Sequence, residues 1–178
     1  MGHKHSKADI LRAALEAAFD DGLSQLTFGR LANRIGISDR VIVYYFPTKA
    51  DLIEEVIVAM GLELQASLAT AFAEPAEDHL EMARMAWPLL ASPDNDRMLA
   101  LFFEANGLAA VGREPYASLV PGLINGWIDW AASLMSGPPA QRRAQAQAAI
   151  AFVEGLTLIR LLAGPKTAEA AAKTLGIA

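Results

Sequence analysis

Residues 27–46 read TFGRLANRIGISDRVIVYYF, and this stretch decides the fold. It contains two short amphipathic segments, and each begins at a residue that caps helices well, Thr27 or Ser38. Between them lies Gly36, which can adopt the positive φ that ends a helix without a Cβ penalty. Two capped helices joined by a tight glycine turn are the pattern of a helix-turn-helix, whose second helix enters the DNA major groove.

The sequence around this segment also favours helices. Residues 6–21 place their apolar side chains on one face, with Ser6 as cap, and Thr48 begins a fourth helix that runs to about residue 72. We expect further helices over residues 77–91, 95–110, 116–135, 140–163 and 166–175. No stretch alternates apolar and polar residues as a half-buried strand does, so the predicted fold class is all-α.

The predicted organisation has two parts. Residues 1–47 form a three-helix helix-turn-helix domain, and residues 48–178 form a larger helical domain. Helix four, about residues 48–72, connects the two.

The helix-turn-helix segment resembles the DNA-binding part of the TetR family of bacterial transcriptional regulators. The matching pattern covers about 30 residues without a gap and consists of Gly22, Thr27, Leu31, Ala32, Gly36, Ile37, Ser38, Ile42, Tyr45, Phe46, Lys49 and Leu52. The chain departs from the family at Val43, where relatives usually have Tyr. Beyond this segment the resemblance is one of architecture and length, and it implies that the C-terminal domain binds a small effector and dimerises.

The start of the second helix of the motif carries the side chains expected to read DNA. Arg40 can bind a guanine edge, Asp39 can accept from cytosine, and Val41 can contact a thymine methyl group. Lys49 lies just inside a helix start, where backbone N–H groups also attract phosphate. The predicted DNA-binding residues are Thr27, Gly29, Ser38, Asp39, Arg40, Val41, Tyr44, Tyr45 and Lys49. For Tyr45, packing in the core explains the residue equally well.

Large, adaptable apolar side chains are concentrated in the C-terminal part. They suit an apolar cavity between helices, with a few polar groups that orient an apolar or aromatic ligand. The predicted effector-binding residues are Met82, Met85, Trp87, Phe102, Phe103, Asn106, Trp127 and Phe152. For each aromatic residue taken singly, ordinary core packing is the better explanation.

The last two helices carry a stripe of small and aliphatic residues, which on a monomer is an exposed apolar patch. In the family that the chain resembles, the corresponding helices pair with their symmetry mates. The predicted dimer interface comprises Ala151, Gly155, Leu158, Leu162, Ala168 and Ala172. A twofold dimer presents two recognition helices to a palindromic site.

The formal charge of -5 is divided unevenly along the chain. Residues 1–51 hold seven Lys+Arg and six Asp+Glu, whereas residues 52–178 hold eight and fourteen. The excess of acidic residues therefore lies outside the predicted DNA-binding part, so the negative net charge of the chain does not exclude DNA binding. Because that part is only weakly basic, we expect modest non-specific affinity for DNA.

Enzyme signatures are missing from the sequence. There is no cysteine, no nucleophile or metal-ligand motif and no phosphate-binding loop, and His79 is the only histidine outside the first five residues. We expect no catalytic residues, no metal and no cofactor. No clean apolar run of about 20 residues predicts a membrane span, and the expected location is the cytoplasm.

These features predict a homodimeric, ligand-responsive transcriptional regulator, and they favour a repressor that a small effector releases from a palindromic operator. The alternative is a helical small-molecule carrier or adaptor that does not bind DNA. A carrier has no need for Arg40, Tyr44 and Lys49 on one exposed face, so this segment distinguishes the two.

Overall fold

The computed structural model describes residues 5–178 and confirms the all-α prediction. The helices of this part of the chain are α1 (Lys7–Asp21), α2 (Phe28–Ile35), α3 (Asp39–Tyr45), α4 (Lys49–Ala69), α5 (His79–Leu90), α6 (Asp96–Ala110), α7 (Tyr116–Ser133), α8 (Pro139–Ala163) and α9 (Pro165–Thr174). Two 3-10 turns, Leu23–Gln25 and Pro93–Asn95, complete the order. The predicted helices are all present, with ends that differ by up to three residues.

Helix starts in the N-terminal part are set by local hydrogen bonds that the sequence predicts. Ser6 and Asp9 form a capping box at the start of α1, in which the Ser6 Oγ accepts from the Asp9 amide. Thr48 and Asp51 form the same arrangement at the start of α4, with distances of 2.8 and 3.1 Å between each amide nitrogen and its side-chain oxygen. Such caps satisfy amides that a helix start leaves unpaired.

Packing divides the chain into two compact units. Unit 1 comprises the described residues up to Leu62 together with Leu101–Val120, and unit 2 comprises Glu63–Ala100 with Pro121–Ala178. Helices α4, α6 and α7 therefore contribute residues to both units. The functional division between residues 47 and 48 stays a prediction.

The core of unit 1 contains one or more fully buried side chains from each of its first four helices. Ile10, Leu31, Ile42 and Leu52 supply one each from α1 to α4, and Leu23 adds a fifth from the 3-10 turn. Phe46, which follows α3 directly, is also fully buried. The three short helices are therefore stabilised by a shared core rather than by their own length.

Unit 2 is organised around the packing of α5 and α9 on α8. Its apolar core cluster consists of Ala76, Met82, Ala131, Met135, Ala146 and Ala149. A short parallel bridge joins Ala76 to Met135 where the chain enters α5 and leaves α7. At the far end of α8, the buried guanidinium of Arg160 donates two hydrogen bonds to Asp96, at 2.9 and 3.1 Å.

Helix α8 is long and apolar enough to cross a membrane by length and composition alone, which is weak evidence for a span. Only 28% of its most apolar window is buried within this chain. The helix also carries two charged residues, Arg160 and Glu154. Arg160 forms an ion pair with Asp96, and burial raises the pKa of the Glu154 carboxyl. A charged group buried beside apolar residues favours its neutral form.

We predict that Glu154→Gln stabilises the protein at neutral pH. The folded-state pKa of Glu154 is raised above its unfolded value, so its contribution to stability is present below the unfolded pKa of about 4.5 and is lost as the pH rises through the folded pKa. The glutamine variant should therefore melt at a higher temperature at pH 7 and at nearly the wild-type temperature at pH 4. Equal gains at both pH values would show that the carboxylate charge is not the cause.

Candidate nucleic-acid interface and ligand-binding residues

The turn between α2 and α3 has the geometry that the sequence predicts. Gly36 adopts the left-handed conformation, with φ of 68° and ψ of 35°. The Ile37 amide then donates to the Ala32 carbonyl oxygen at 3.1 Å, which closes the end of α2. Ser38 caps α3 immediately afterwards, with its Oγ 3.3 Å from the Arg40 amide nitrogen. The two helices are thus joined by only three residues, as a helix-turn-helix requires.

The orientation of α3 about its own axis is set by what it buries. Ile42 is fully buried, and Tyr45, three residues on, is half-buried with its ring edge against Tyr44 at 5.0 Å between ring centroids. The opposite face is exposed to solvent and carries Arg40 and Tyr44, the latter 78% exposed. Because residues four apart share a helix face, these two side chains project together.

Other exposed residues flank this pair. Asp39, Val41 and Val43 surround Arg40 and Tyr44, and Val41 and Val43 are 36% and 42% exposed. We refer to the five residues Asp39, Arg40, Val41, Val43 and Tyr44 as the α3 face. Within residues 5–178 the guanidinium of Arg40 has no hydrogen-bond or ion-pair partner, so it is available to a ligand.

The remaining predicted DNA-binding residues lie at the starts of helices. Thr27 caps α2, and its Oγ1 accepts from the Arg30 amide at 3.3 Å. Gly29 is exposed, and a Cβ built there meets nothing within 4 Å, so packing within the chain does not require glycine. Lys49 is the exposed first residue of α4, directly after the Thr48 cap. The roles of these residues in DNA binding stay predictions.

Two arginines on α2 were not predicted to bind DNA, and both already have partners in the protein. Arg30 donates to the Gln25 Oε1 at 2.8 Å, and Arg34 donates to the Asp20 Oδ2 at 2.5 Å. Because Arg34 donates this hydrogen bond to the Asp20 carboxylate, the pKa of Arg34 is raised. Both line an open groove of about 550 Å³ between α1 and α2.

The predicted effector-binding residues are distributed over both units. Met82 and Met85 take part in the core of unit 2, where Met82 is 5% exposed. Also in unit 2, the Phe152 ring stacks on His79 at 5.5 Å between ring centroids, and Trp127 lies edge-on to Trp130 at 5.4 Å. Phe102, Phe103 and Asn106 are half-buried on the part of α6 that belongs to unit 1.

Buried polar groups without a partner mark where a ligand could form a hydrogen bond. In the described residues these include the Trp87 Nε1 and the Tyr116 hydroxyl, and the two residues are 3% and 4% exposed. Burial, together with the nearby negative charge of Glu104, raises the pKa of Tyr116 to about 12. Trp87 was predicted from sequence as an effector contact. Tyr116 was not, because nothing in the sequence distinguishes it from a tyrosine with a satisfied hydroxyl.

Four of the six residues predicted for the dimer interface are exposed. Ala151 and Gly155 lie on the exposed face of α8, and Leu158 and Leu162 are 40% and 80% exposed. Ala168 and Ala172 are instead fully buried, on the helix that packs on α8. Because these two alanines have no exposed surface, they cannot contact a second subunit directly. Their side chains instead pack α9 against its own chain.

Comparison with known proteins agrees with the geometry of the N-terminal part. Residues 10–56 match the family model described as bacterial regulatory proteins, tetR family. No curated protein sequence matches the chain.

Solved structures match over almost the whole chain. A proposed transcriptional regulator, SCO7518, from Streptomyces coelicolor A3(2) is 26% identical, with 92% of this chain and 94% of that chain covered and a TM-score of 0.67. A TetR transcriptional regulator from Legionella pneumophila is 20% identical, with 98% and 97% covered and a TM-score of 0.64. The multidrug binding protein EbrR, complexed with imidazole, is 22% identical, with 98% and 93% covered and a TM-score of 0.69.

We predict that Tyr116→Phe leaves stability at pH 7 unchanged or raises it by up to about 1 kcal/mol, because the lost hydroxyl is buried and has no partner among residues 5–178. The folded pKa of Tyr116 is raised from 10.0 to about 12, so the stability that this group contributes is present below pH 10 and is lost as the pH rises to 12. The advantage of phenylalanine in denaturant unfolding should therefore grow between these pH values. A loss of stability at pH 7 would mean that the hydroxyl has a partner.

Proposed function

We propose that the protein is a cytoplasmic, one-component transcriptional repressor, because residues 10–56 match the family model of the bacterial regulatory proteins of the tetR family. It acts as a homodimer on a palindromic operator, and a small apolar or aromatic effector releases it. The observation that carries the proposal is the α3 face, where the Arg40 guanidinium, which has no partner within residues 5–178, projects beside Tyr44 from a helix held in place by Ile42.

The α3 face offers the chemistry that a major groove reads. An arginine binds guanine O6 and N7, a carboxylate accepts from cytosine, and an aliphatic side chain contacts the thymine methyl group. All three types occur here within five residues, Asp39 to Val43. Phosphate contacts from Thr27 and Lys49 would set the register of the helix in the groove.

Homodimer formation is supported by the exposed surface of α8. Leu158, Ile159 and Leu162 are large apolar side chains with 40%, 38% and 80% of their surface exposed. Ala151 and Gly155 continue this surface along the helix without bulky side chains, which permits close approach of a second helix. Apolar surface of this kind marks an interaction site on a protein in water.

An effector-binding role for the C-terminal part is supported by its half-buried aromatic residues and by the buried Trp87 Nε1, which has no hydrogen-bond partner in the described part of the chain. The fold is shared with EbrR, which is described as a multidrug binding protein. We infer that effector binding shifts α4 and thereby alters the separation of the two recognition helices in the dimer. Operator and effector then weaken each other's binding by the same factor.

Paired substitutions test the readout of DNA. Arg40→Ala should weaken binding to the operator by about 1–3 kcal/mol and leave binding to random DNA little changed, because only the operator presents the correct base edge. Lys49→Ala should weaken both equally and reduce the slope of log affinity against log salt by about 0.9, since it removes one phosphate contact. Both are measured by fluorescence anisotropy on a site selected in vitro and on a random duplex.

Arg12→Ala is the matched control, because Arg12 is an exposed arginine of α1 that pairs with Asp9. It should change neither affinity by more than about twofold, as expected for a surface ion pair. Equal losses on operator and random DNA for Arg40→Ala would remove Arg40 from base readout. If the wild-type protein selects no palindromic site at all, it is not an operator-binding regulator.

Leu158→Glu tests the dimer. A charge on the exposed apolar surface of α8 would be buried without a partner in the interface, so the variant should sediment as a monomer at concentrations where the wild type is a dimer. Leu62→Glu makes the same change at an exposed leucine of α4 and should leave the dimer intact. A Leu158→Glu protein that remains dimeric would place the interface elsewhere.

A further inference from the structure

The turn between α1 and α2 is held by a side chain from a distant part of the chain. Glu104 of α6 accepts two backbone hydrogen bonds there, from the Leu23 amide at 2.8 Å and from the Ser24 amide at 2.9 Å. Each carboxylate oxygen takes one amide. Hydrogen bonds to an ionised acceptor are about twice as strong as neutral ones, so these two bonds should hold the turn more strongly than two neutral bonds would. We call it the Glu104 clasp.

Gly22 makes the clasp possible. Its φ is +90°, a conformation that side chains rarely adopt, and a Cβ there would lie 3.0 Å from the Glu104 Oε2. Any other residue would be strained and would also press on the carboxylate. The glycine that ends α1 therefore serves a second purpose, which is to let the carboxylate approach the backbone.

The clasp lies at the point where the chain turns towards the helix-turn-helix. Leu23 is fully buried and Leu26 is 3% exposed, so the two ends of this segment are anchored in the core of unit 1. Thr27 and α2 follow directly. Because its amides are bound to Glu104 and its two leucines are buried, this segment is held in one conformation, which fixes the direction in which the chain enters α2.

We propose that Glu104 is a positioning residue for operator binding, because its clasp fixes the direction in which α2 and α3 leave α1. The proposal rests on the proposed operator-binding function. A dimer must place two recognition helices in successive major grooves, so a small error in the direction of each helix removes contacts at both half-sites. Random DNA imposes no such spacing, and binding to it depends on phosphate attraction.

Glu104 lies on a stretch of α6 that also carries predicted effector-binding residues. Phe103 and Asn106, two of the predicted effector-binding residues, lie on the same stretch of α6 and within unit 1. The buried Tyr116 hydroxyl is close enough to Glu104 to feel its charge. A ligand that binds the Tyr116 hydroxyl would therefore lie near the carboxylate that holds the 23–25 turn.

Glu104→Gln tests the proposal. Glutamine keeps the size of the side chain but has a single acceptor oxygen, and its NH₂ group would face the second amide. We expect operator affinity to fall about tenfold, which corresponds to about 1.4 kcal/mol, while affinity for random DNA changes by less than about twofold. Hydrogen exchange at the Leu23 and Ser24 amides should become faster.

Glu114→Gln is the matched control. Glu114 also belongs to unit 1 and is exposed, and it accepts from the Ser118 hydroxyl at 2.8 Å. The variant therefore loses the same charge without changing a hydrogen bond of the 23–25 turn. It should bind operator and random DNA like the wild type. Glu104→Asp keeps the charge but is shorter by one methylene, and it should lose part of the operator affinity if Glu104→Gln proves too unstable to assay.

The ratio of operator to random-DNA affinity decides the outcome, because loss of folded protein lowers both affinities alike. If Glu104→Gln or the folded Glu104→Asp keeps the wild-type ratio, the clasp only stabilises the fold and the proposal is overturned. If the wild-type protein itself selects no operator, the proposed function fails and this proposal falls with it. A lower ratio for the Glu104 variants, together with a wild-type ratio for Glu114→Gln, supports the positioning role.

Discussion

Burial of the Ile42 side chain of α3 in the core of unit 1 is the interaction on which the α3 face, the proposed DNA-binding surface, depends. A helix of seven residues is too short to be stable alone in water, so α3 exists because Ile42 and the following Phe46 are fully buried in unit 1. The same contact determines rotation about the helix axis. With Ile42 facing inwards, Arg40 and Tyr44 face outwards together. Stability and the proposed recognition of DNA therefore depend on opposite faces of one short helix.

Unit 2 is stabilised differently, since its helices are long and its polar contacts are partly buried. The Arg160 guanidinium binds both carboxylate oxygens of Asp96, and the Gln145 Oε1 lies 3.0 Å from the His79 amide nitrogen and 2.6 Å from the His79 ring nitrogen. Buried polar groups carry a desolvation penalty unless they are paired, so these contacts fix which residues of α5, α6 and α8 lie opposite each other. These contacts leave the apolar surface of α8 exposed, and this surface is the proposed dimer interface.

Local features of the sequence predicted the fold well. The capping boxes at Ser6 and Thr48 and the glycine turn at residue 36 depend on residues within a few positions of each other, so their geometry follows from residue type. The exposure of Arg40 follows in the same way from helical periodicity. Contacts between distant residues could not be predicted. The pairing of Glu104 with the amides of residues 23 and 24 spans about 80 positions and leaves no periodic signal.

The sequence by itself determined the all-α class, the helix starts of the N-terminal part and the helix-turn-helix, because each depends on local backbone preferences and on a repeating apolar face. Tertiary structure decided which small or polar residue faces which neighbour. Ala168 and Ala172 form part of an apolar stripe in the sequence, yet they are buried against their own chain, whereas Leu162 in the same stripe is 80% exposed. Periodicity identifies the apolar face of a helix. Only the packing of the other helices decides whether that face is covered by the same chain or remains available to another.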